Sequence, residues 1–418
     1  MKQIKFKSWM LLLFEAFGYS CLNGGAFLMS TYQTLFLNGM GLTATQIGMC
    51  MSMIGIITVL GYLFGGILGD IFPTKALIIV SHLGVMVALF VISLNPPFGV
   101  LLAAEFLLGL FAIGTYWGAM AKFIKSLGPA EMEGKLYGFF YGFTGISGTI
   151  IGLGIAALIA AMGDATSVRI MLYIYCGVNL LAVLSQIFLY RGYEEGESDP
   201  DDRFKLSDLK EVAKVPDIWL AGLVLFAAEQ VYPAMAYLVP MLQNEFAVAS
   251  AVVTVVVTIR LYFVRMVTSP TAGIVVDKLK SPSKVMWYAL WGSLIITLVV
   301  TVMPWSPELG MVAVAIVILM AVVFNLATPC WFTMTTEIGV PDRVRGTAVG
   351  LVTLLAFCAD IYIYLFGGWL VDSFGTMGYR LFFVYSDIVF VIGIVLCFII
   401  RKRIKNGKAQ AATAKLSK

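Results

Sequence analysis

Gly66-Ile67-Leu68-Gly69-Asp70 and Gly273-Ile274-Val275-Val276-Asp277 carry nearly the same message 207 residues apart. Each closes a long apolar run, and lysine follows within a few residues, at Lys75 and at Lys278. A second pair repeats the pattern: Gly134-Lys135-Leu136-Tyr137-Gly138 against Gly346-Thr347-Ala348-Val349-Gly350, separated by 212. The chain therefore reads as two related halves laid in the same sense. In a chain this apolar, such a duplication points to a transporter with a central passage.

Composition supports that direction. Apolar residues make up 60% of the 418, against roughly 45–50% in soluble domains. Charged residues are only 12%, about half the usual share. Too few polar residues exist to cover a soluble surface, whereas hydrocarbon needs none. The six cysteines, Cys21, Cys50, Cys176, Cys330, Cys358 and Cys397, all fall inside apolar runs without a Cys-x-x-Cys pair. They read as small packed side chains, neither disulfides nor zinc ligands. No Walker loop, Rossmann fingerprint, Gly-x-Ser-x-Gly elbow or metal-spaced histidine cluster occurs, so neither an enzyme, a cofactor nor ATP-driven pumping is expected.

Runs long enough to span a bilayer lie near 9–37, 46–68, 75–94, 98–121, 136–161 and 168–190, and again near 217–241, 247–276, 284–303, 308–332, 345–371 and 378–400. These are helices 1 to 12. A β-barrel would alternate in short segments instead. The expected fold is therefore all-α, twelve transmembrane helices in two six-helix halves. The predicted divisions are 1–190, a polar linker 191–216 with a short surface helix from Leu206 to Val215, 217–400, and a basic tail 401–418. The first run is too long for the core of a cleaved signal peptide and reads as a span.

Basic residues orient the array. With the N-terminus inside, the inner loops and ends collect 24 of the 28 Lys and Arg, leaving only Arg169 and Arg380 outside. Both termini are thus predicted to face the cytoplasm. Asp70 and Asp277 then fall at the cytoplasmic ends of helices 2 and 8. Gly66 and Gly273, one turn back, permit close helix contact. The four residues suit a gate, with the aspartates latching a helix N-terminus or a Lys or Arg. Ordinary helix-ending turns are the plainer alternative.

These loops resemble the hallmark of the major facilitator superfamily, Gly-x-x-x-Asp-(Arg/Lys)-x-Gly-(Arg/Lys)-(Arg/Lys) after helix 2 and, more weakly, after helix 8. Gly66, Asp70 and Lys75 match the first copy; Gly273, Asp277 and Lys278 match the second. The first copy departs at Ile71 and at Phe72-Pro73-Thr74. The segment from Arg345 to Gly350, with Asp360 further on, is similar to bacterial organic-anion and sugar-derivative permeases. The resemblance implies that helices 1, 4, 7 and 10 line the passage and that helices 3, 6, 9 and 12 are peripheral.

Intramembrane charges mark function by default, because each is costly in lipid. They are Glu15, Glu105, Glu229, Arg260, Arg265, Asp360 and Asp387. Arg260, midway along helix 8, keeps its charge and offers a planar fork to carboxylate, sulfate or phosphate. Arg265 is about 140° around and about 7.5 Å along the helix. Pairing of both arginines with Glu229, Asp360 or Glu105 is the structural alternative. Glu229 stands in Ala228-Glu229-Gln230-Val231-Tyr232-Pro233, where proline frees a carbonyl one turn back. Glu229, Asp360 and Glu105 are candidate proton carriers; the plainer alternative, an acid near a membrane face that simply reaches water, applies best to Glu15 and Asp387 and stays open for Glu105. Asn23, Asn325, Tyr116 and Tyr232 fill out the candidate substrate site with Arg260 and Arg265. His82, the sole histidine, falls on helix 3 and reads as packed.

The expected function is secondary transport of a small organic anion by alternating access, coupled to protons or to a counter-solute. A neutral sugar or nucleoside, and efflux of a lipophilic cation, stay open. The expected partners are that solute, the coupling proton or counter-solute, and the lipid bilayer. Nucleic acid is not expected, and the chain is expected to act as a monomer.

Overall fold

The computed structural model describes residues 6–128, 133–190 and 206–414. They are almost wholly helical, with no strand among them. Eleven helices are long and apolar enough to cross a membrane. Helix 1, Phe6–Ala26, is long enough at 21 residues but too polar to qualify, because Glu15, Asn23 and its glycines dilute the apolar run. The expected single run 9–37 is also broken: Leu28–Thr31 and Gln33–Met40 follow as separate pieces after turns at Phe27 and Tyr32. The predicted surface helix is shorter than expected, Leu206–Val212.

Local chemistry sets many of the helix starts. Helix 2, Ala44–Ile71, opens on a capping box in which Thr43 Oγ1 accepts from Gln46 N while Gln46 Oε1 accepts from Thr43 N, satisfying two orphan donors. Helix 7 starts at Pro216 and helix 9 at Pro282, with proline in the first turn where no N–H is needed. Glu337 ties down the start of helix 9 further, accepting from Ser283 N at 2.6 Å and from Ser281 Oγ at 2.6 Å.

The chain divides into two compact units. The first comprises Met1–Arg203 with Ser250–Thr258; the second comprises Phe204–Ala249 and Ile259–Lys418. The boundary therefore cuts helix 8 between Thr258 and Ile259. In the first unit, Leu11, Leu12, Leu22, Phe36, Phe123 and Phe140 are buried. Gly18 leaves no room for a methyl group against Ala182 and His82. In the second unit, Tyr237 fills the space opposite Gly367, where an added Cβ would lie 2.5 Å from its ring. The Tyr237 hydroxyl donates to the Tyr364 carbonyl at 2.5 Å. All six cysteines are free.

Candidate functional site

Four of the predicted residues sit where a membrane helix departs from regular α-geometry. Helix 7 is split into Pro216–Glu229 and Val231–Asn244. The break at Gln230 follows from Pro233, which cannot donate to the Glu229 carbonyl and clashes with that turn. Glu229 ends the first piece. Helix 8 passes from Ser250–Thr258 through a π-helical stretch, Ile259–Phe263, into Val264–Leu279. Arg260 is the second residue of that stretch, and π-segments tend to mark functional positions. Helix 11 tightens into a 3-10 turn at Cys358–Ile361, which contains Asp360. Helix 4 has its own π-segment, Leu110–Thr115, immediately before Tyr116.

In the second unit the structure brings Arg260, Tyr232, Tyr364, Glu229 and Asp360 together. Arg260 is only 2% exposed, and its Nε and Nη1 have no hydrogen-bond partner. Its guanidinium carbon lies 6.0 Å from the Tyr232 ring centroid, within range of a cation–π contact. Among the described residues, the ion pairs within 4.0 Å all lie elsewhere. The expected alternative of Arg260 pairing with a buried acid is therefore not what the structure contains. Glu229 and Asp360, 4% and 5% exposed, lie within electrostatic reach of each other. Glu229 Oε2, Asp360 Oδ1 and the Tyr364 hydroxyl are likewise buried without partners. An unpaired buried polar atom costs about 1–3 kcal/mol, more when charged. Four such groups lie close together in this part of the second unit.

The flanking residues differ in character. Tyr232 packs on Phe324 with centroids 5.9 Å apart, and Phe324 meets Trp331 edge-on at 6.3 Å. Asn325 is buried and its amide donates to the Ala321 carbonyl one turn back. Arg265, by contrast, is exposed, although its charge still reaches the Tyr232 hydroxyl.

Asn23, Tyr116 and Glu105 belong to the first unit. Asn23 is half-buried, and Glu105 is buried with Oε2 unpartnered. The Tyr116 hydroxyl donates to Glu15 Oε1 at 2.7 Å. Glu15 corrects an expectation: it does not reach water but is fully buried. Gln186 Nε2 donates to its Oε2 at 2.5 Å, and His82 Nε2 lies 3.0 Å from its Oε1. The other ring nitrogen of His82 lies 2.7 Å from Asn179 Oδ1. Asp387 is corrected likewise, buried and capped by the hydroxyls of Thr297 and Thr301. Of this cluster, the sequence placed only Tyr116 in the candidate site. The available signal was the recurrence of polar side chains, His82, Asn179 and Gln186, in otherwise apolar helices.

The backbones of Gly66 and Asp70 lie in Ala44–Ile71, and those of Gly273 and Asp277 in Val264–Leu279. The side-chain placement of these gate candidates lies outside the described residues.

A membrane bundle with buried, unpaired polar groups at helix breaks is the architecture of a solute carrier. The Major Facilitator Superfamily model matches residues 9–359, and the chain belongs to that superfamily. It is a membrane transporter of that class and not an enzyme. Inner membrane protein YqcE of Escherichia coli (strain K12) is 23% identical over 429 residues, covering 99% of both chains. Inner membrane protein YihN of the same organism is 23% identical over 385 residues, covering 89% of this chain and 90% of its own. Among solved structures, a bacterial homolog to the human lysosomal transporter Spinster, inward-facing and occupied, aligns with a TM-score of 0.76 at 14% identity, covering 96% of this chain and 98% of that one. The nucleoside transporter NupG aligns with a TM-score of 0.74 at 15% identity, covering 96% of this chain and all of its own. Likeness at these identities speaks for the fold alone.

Proposed function

We propose that the chain is a secondary transporter of small organic anions, working by alternating access and coupled to protons, with both termini cytoplasmic. The observation that carries this reading is Arg260: a permanent cation, buried, with two guanidinium nitrogens unpartnered. A carboxylate, sugar acid or phosphate ester supplies the oxygens that such a fork needs. Tyr232 presents an aromatic face beside it, and Arg265 attracts anions from the more exposed side. Glu229 and Asp360 take the proton. The two carboxyls lie close together and away from water, and proton release follows when the site opens. Gly66–Asp70 and Gly273–Asp277 serve as the gate in this scheme.

A second reading rests on the aromatic run Tyr232, Phe324 and Trp331, which suits the flat faces of a neutral nucleoside. A thermal-shift screen of the purified protein against carboxylates, sugar acids, sugar phosphates, nucleosides and amines separates the two. An anion is expected to stabilise the wild type and to lose that shift in R260Q. An anion that stabilises both equally rules out the Arg260 role, and stabilisation by nucleosides alone selects the second reading. Uptake of the selected solute into proteoliposomes under an imposed pH gradient then tests transport itself.

A further inference from the structure

The hydrogen bonds around His82 fix where a proton must lie. Asn179 Nδ2 donates to the Tyr175 carbonyl at 2.8 Å, which sets the amide orientation and turns Oδ1 toward His82 Nδ1, 2.7 Å away. An amide oxygen only accepts, so Nδ1 must carry hydrogen. On the other side of the ring, Nε2 faces Glu15 Oε1 at 3.0 Å. Two arrangements satisfy that contact: an imidazolium donating to a carboxylate, or a neutral ring accepting from a protonated Oε1. Both hold one proton in the gap. Oε2 accepts from Gln186 Nε2 and Oε1 accepts from the Tyr116 hydroxyl, so the Oε1–Nε2 contact is the one that still needs a hydrogen, and a carboxyl proton that serves it sits on Oε1 and points at the ring. Without the proton, two lone pairs face each other and a negative charge is left where Glu15 and His82 are both fully buried.

We propose that Glu15 and His82 form a binding site for one exchangeable proton, inside the first unit and separate from the Glu229–Asp360 pair. The side chains bonded to the pair from helices 4 and 6, Tyr116, Asn179 and Gln186, are all neutral. On helix 1, Tyr19 stacks on Tyr116 at 5.4 Å, and Cys21 lies within reach of Cys176 on helix 6. On helix 4, the Tyr116 hydroxyl meets Glu15, while Glu105 stands within reach of Cys50 instead. On helix 5, Tyr141 approaches the Tyr19 ring at 6.4 Å, and Thr144 Oγ1 donates to the Ala16 carbonyl. Helix 3 contributes His82, with Ser81 bonded to Thr115. Among the described residues, His82 is the basic side chain that meets Glu15, 3.0 Å away. The loaded site is electrically neutral and ties helices 1, 3, 4 and 6 together. Loss of its proton breaks the tie between helices 1 and 3 and leaves the carboxylate to draw in water.

His82 being the sole histidine, ring-¹⁵N-histidine labelling of the full-length protein in lipid nanodiscs gives one pair of ring signals. Over pH 5–10, Nδ1 is expected to stay protonated throughout, while Nε2 moves in a single one-proton transition. In E15Q the side-chain amide can donate to Nε2, so the neutral Nδ1–H ring is expected at every pH and the transition is lost. A bare Nδ1 in the wild type overturns the proposal, because the proton is then not obligatory. A wild-type spectrum unchanged across the range overturns it too, since the proton is then not exchangeable. So does an E15Q transition like that of the wild type. If E15Q fails to fold, the two wild-type outcomes still decide.

Discussion

Arg403 clasps Asp217 through two hydrogen bonds, Nε to Oδ1 at 2.5 Å and Nη2 to Oδ2 at 2.8 Å. The contact joins the end of helix 12 to the start of helix 7. Asp217 is fully buried, while the Arg403 side chain is 35% exposed. Removing the cation leaves a buried carboxylate without its partner. R403M is expected to cost about 2 kcal/mol, below the 3–5 typical of fully buried pairs because solvent screens one side. R403K keeps the charge without the fork and should fall between. Thermal denaturation in detergent measures both; an R403M midpoint equal to that of the wild type would show the clasp to be unimportant.

Arg260 should behave in the opposite sense. Its charge is buried with two guanidinium nitrogens lacking hydrogen-bond partners, so replacing it by an apolar side chain relieves a desolvation cost. R260M is expected to stabilise the solute-free protein by about 1 kcal/mol while losing anion transport. A destabilised R260M would mean that the guanidinium has a partner within the folded protein.

Glu229 and Asp360 are expected to separate coupling from binding. E229Q and D360N should each lower uptake driven by a pH gradient at least about 10-fold, the loss of one well-placed proton carrier. Solute exchange at equal pH on both sides should stay near wild type. Counterflow in proteoliposomes checks this, and equal loss in both assays would assign the residues to binding instead.

At Gly367, an added methyl group would sit 2.5 Å from the Tyr237 ring, itself held by its bond to Tyr364. G367A is expected to cost about 1–3 kcal/mol by overpacking. Y237L in the same chain should recover part of it. A G367A protein with an unchanged midpoint would show that helices 7 and 11 part easily there.

Most helix positions were legible in the sequence because lipid imposes a single dominant pattern. The run read as 136–161 is Glu133–Met162, and that read as 378–400 is Thr376–Lys405. Pro233 announced the break beside Glu229, and its chemistry explains why the break comes before the proline. The π-stretches at Arg260 and Tyr116 left no comparable mark, since a helix with one extra residue per turn uses the same amino acids. Helix 1 was misread as continuous because neither Phe27 nor Tyr32 is a breaker. The burial of Glu15 was hidden for a different reason. Its partners His82, Tyr116 and Gln186 lie 67, 101 and 171 positions away, and only tertiary packing brings them to one point.

Those separations also bear on how the protein is made. Helix 1 leaves the ribosome ahead of every side chain that neutralises Glu15, and it falls short of the hydropathy that the eleven other spans possess. At about 5–20 residues per second, Gln186 follows Glu15 after roughly 10–30 s. Within that interval the acid gains its partners one at a time, His82 first, then Tyr116, and Gln186 last. The full set of bonds to Glu15 is thus complete only once helix 6 has been made, so the polar centre of the first unit closes late in the synthesis of that unit.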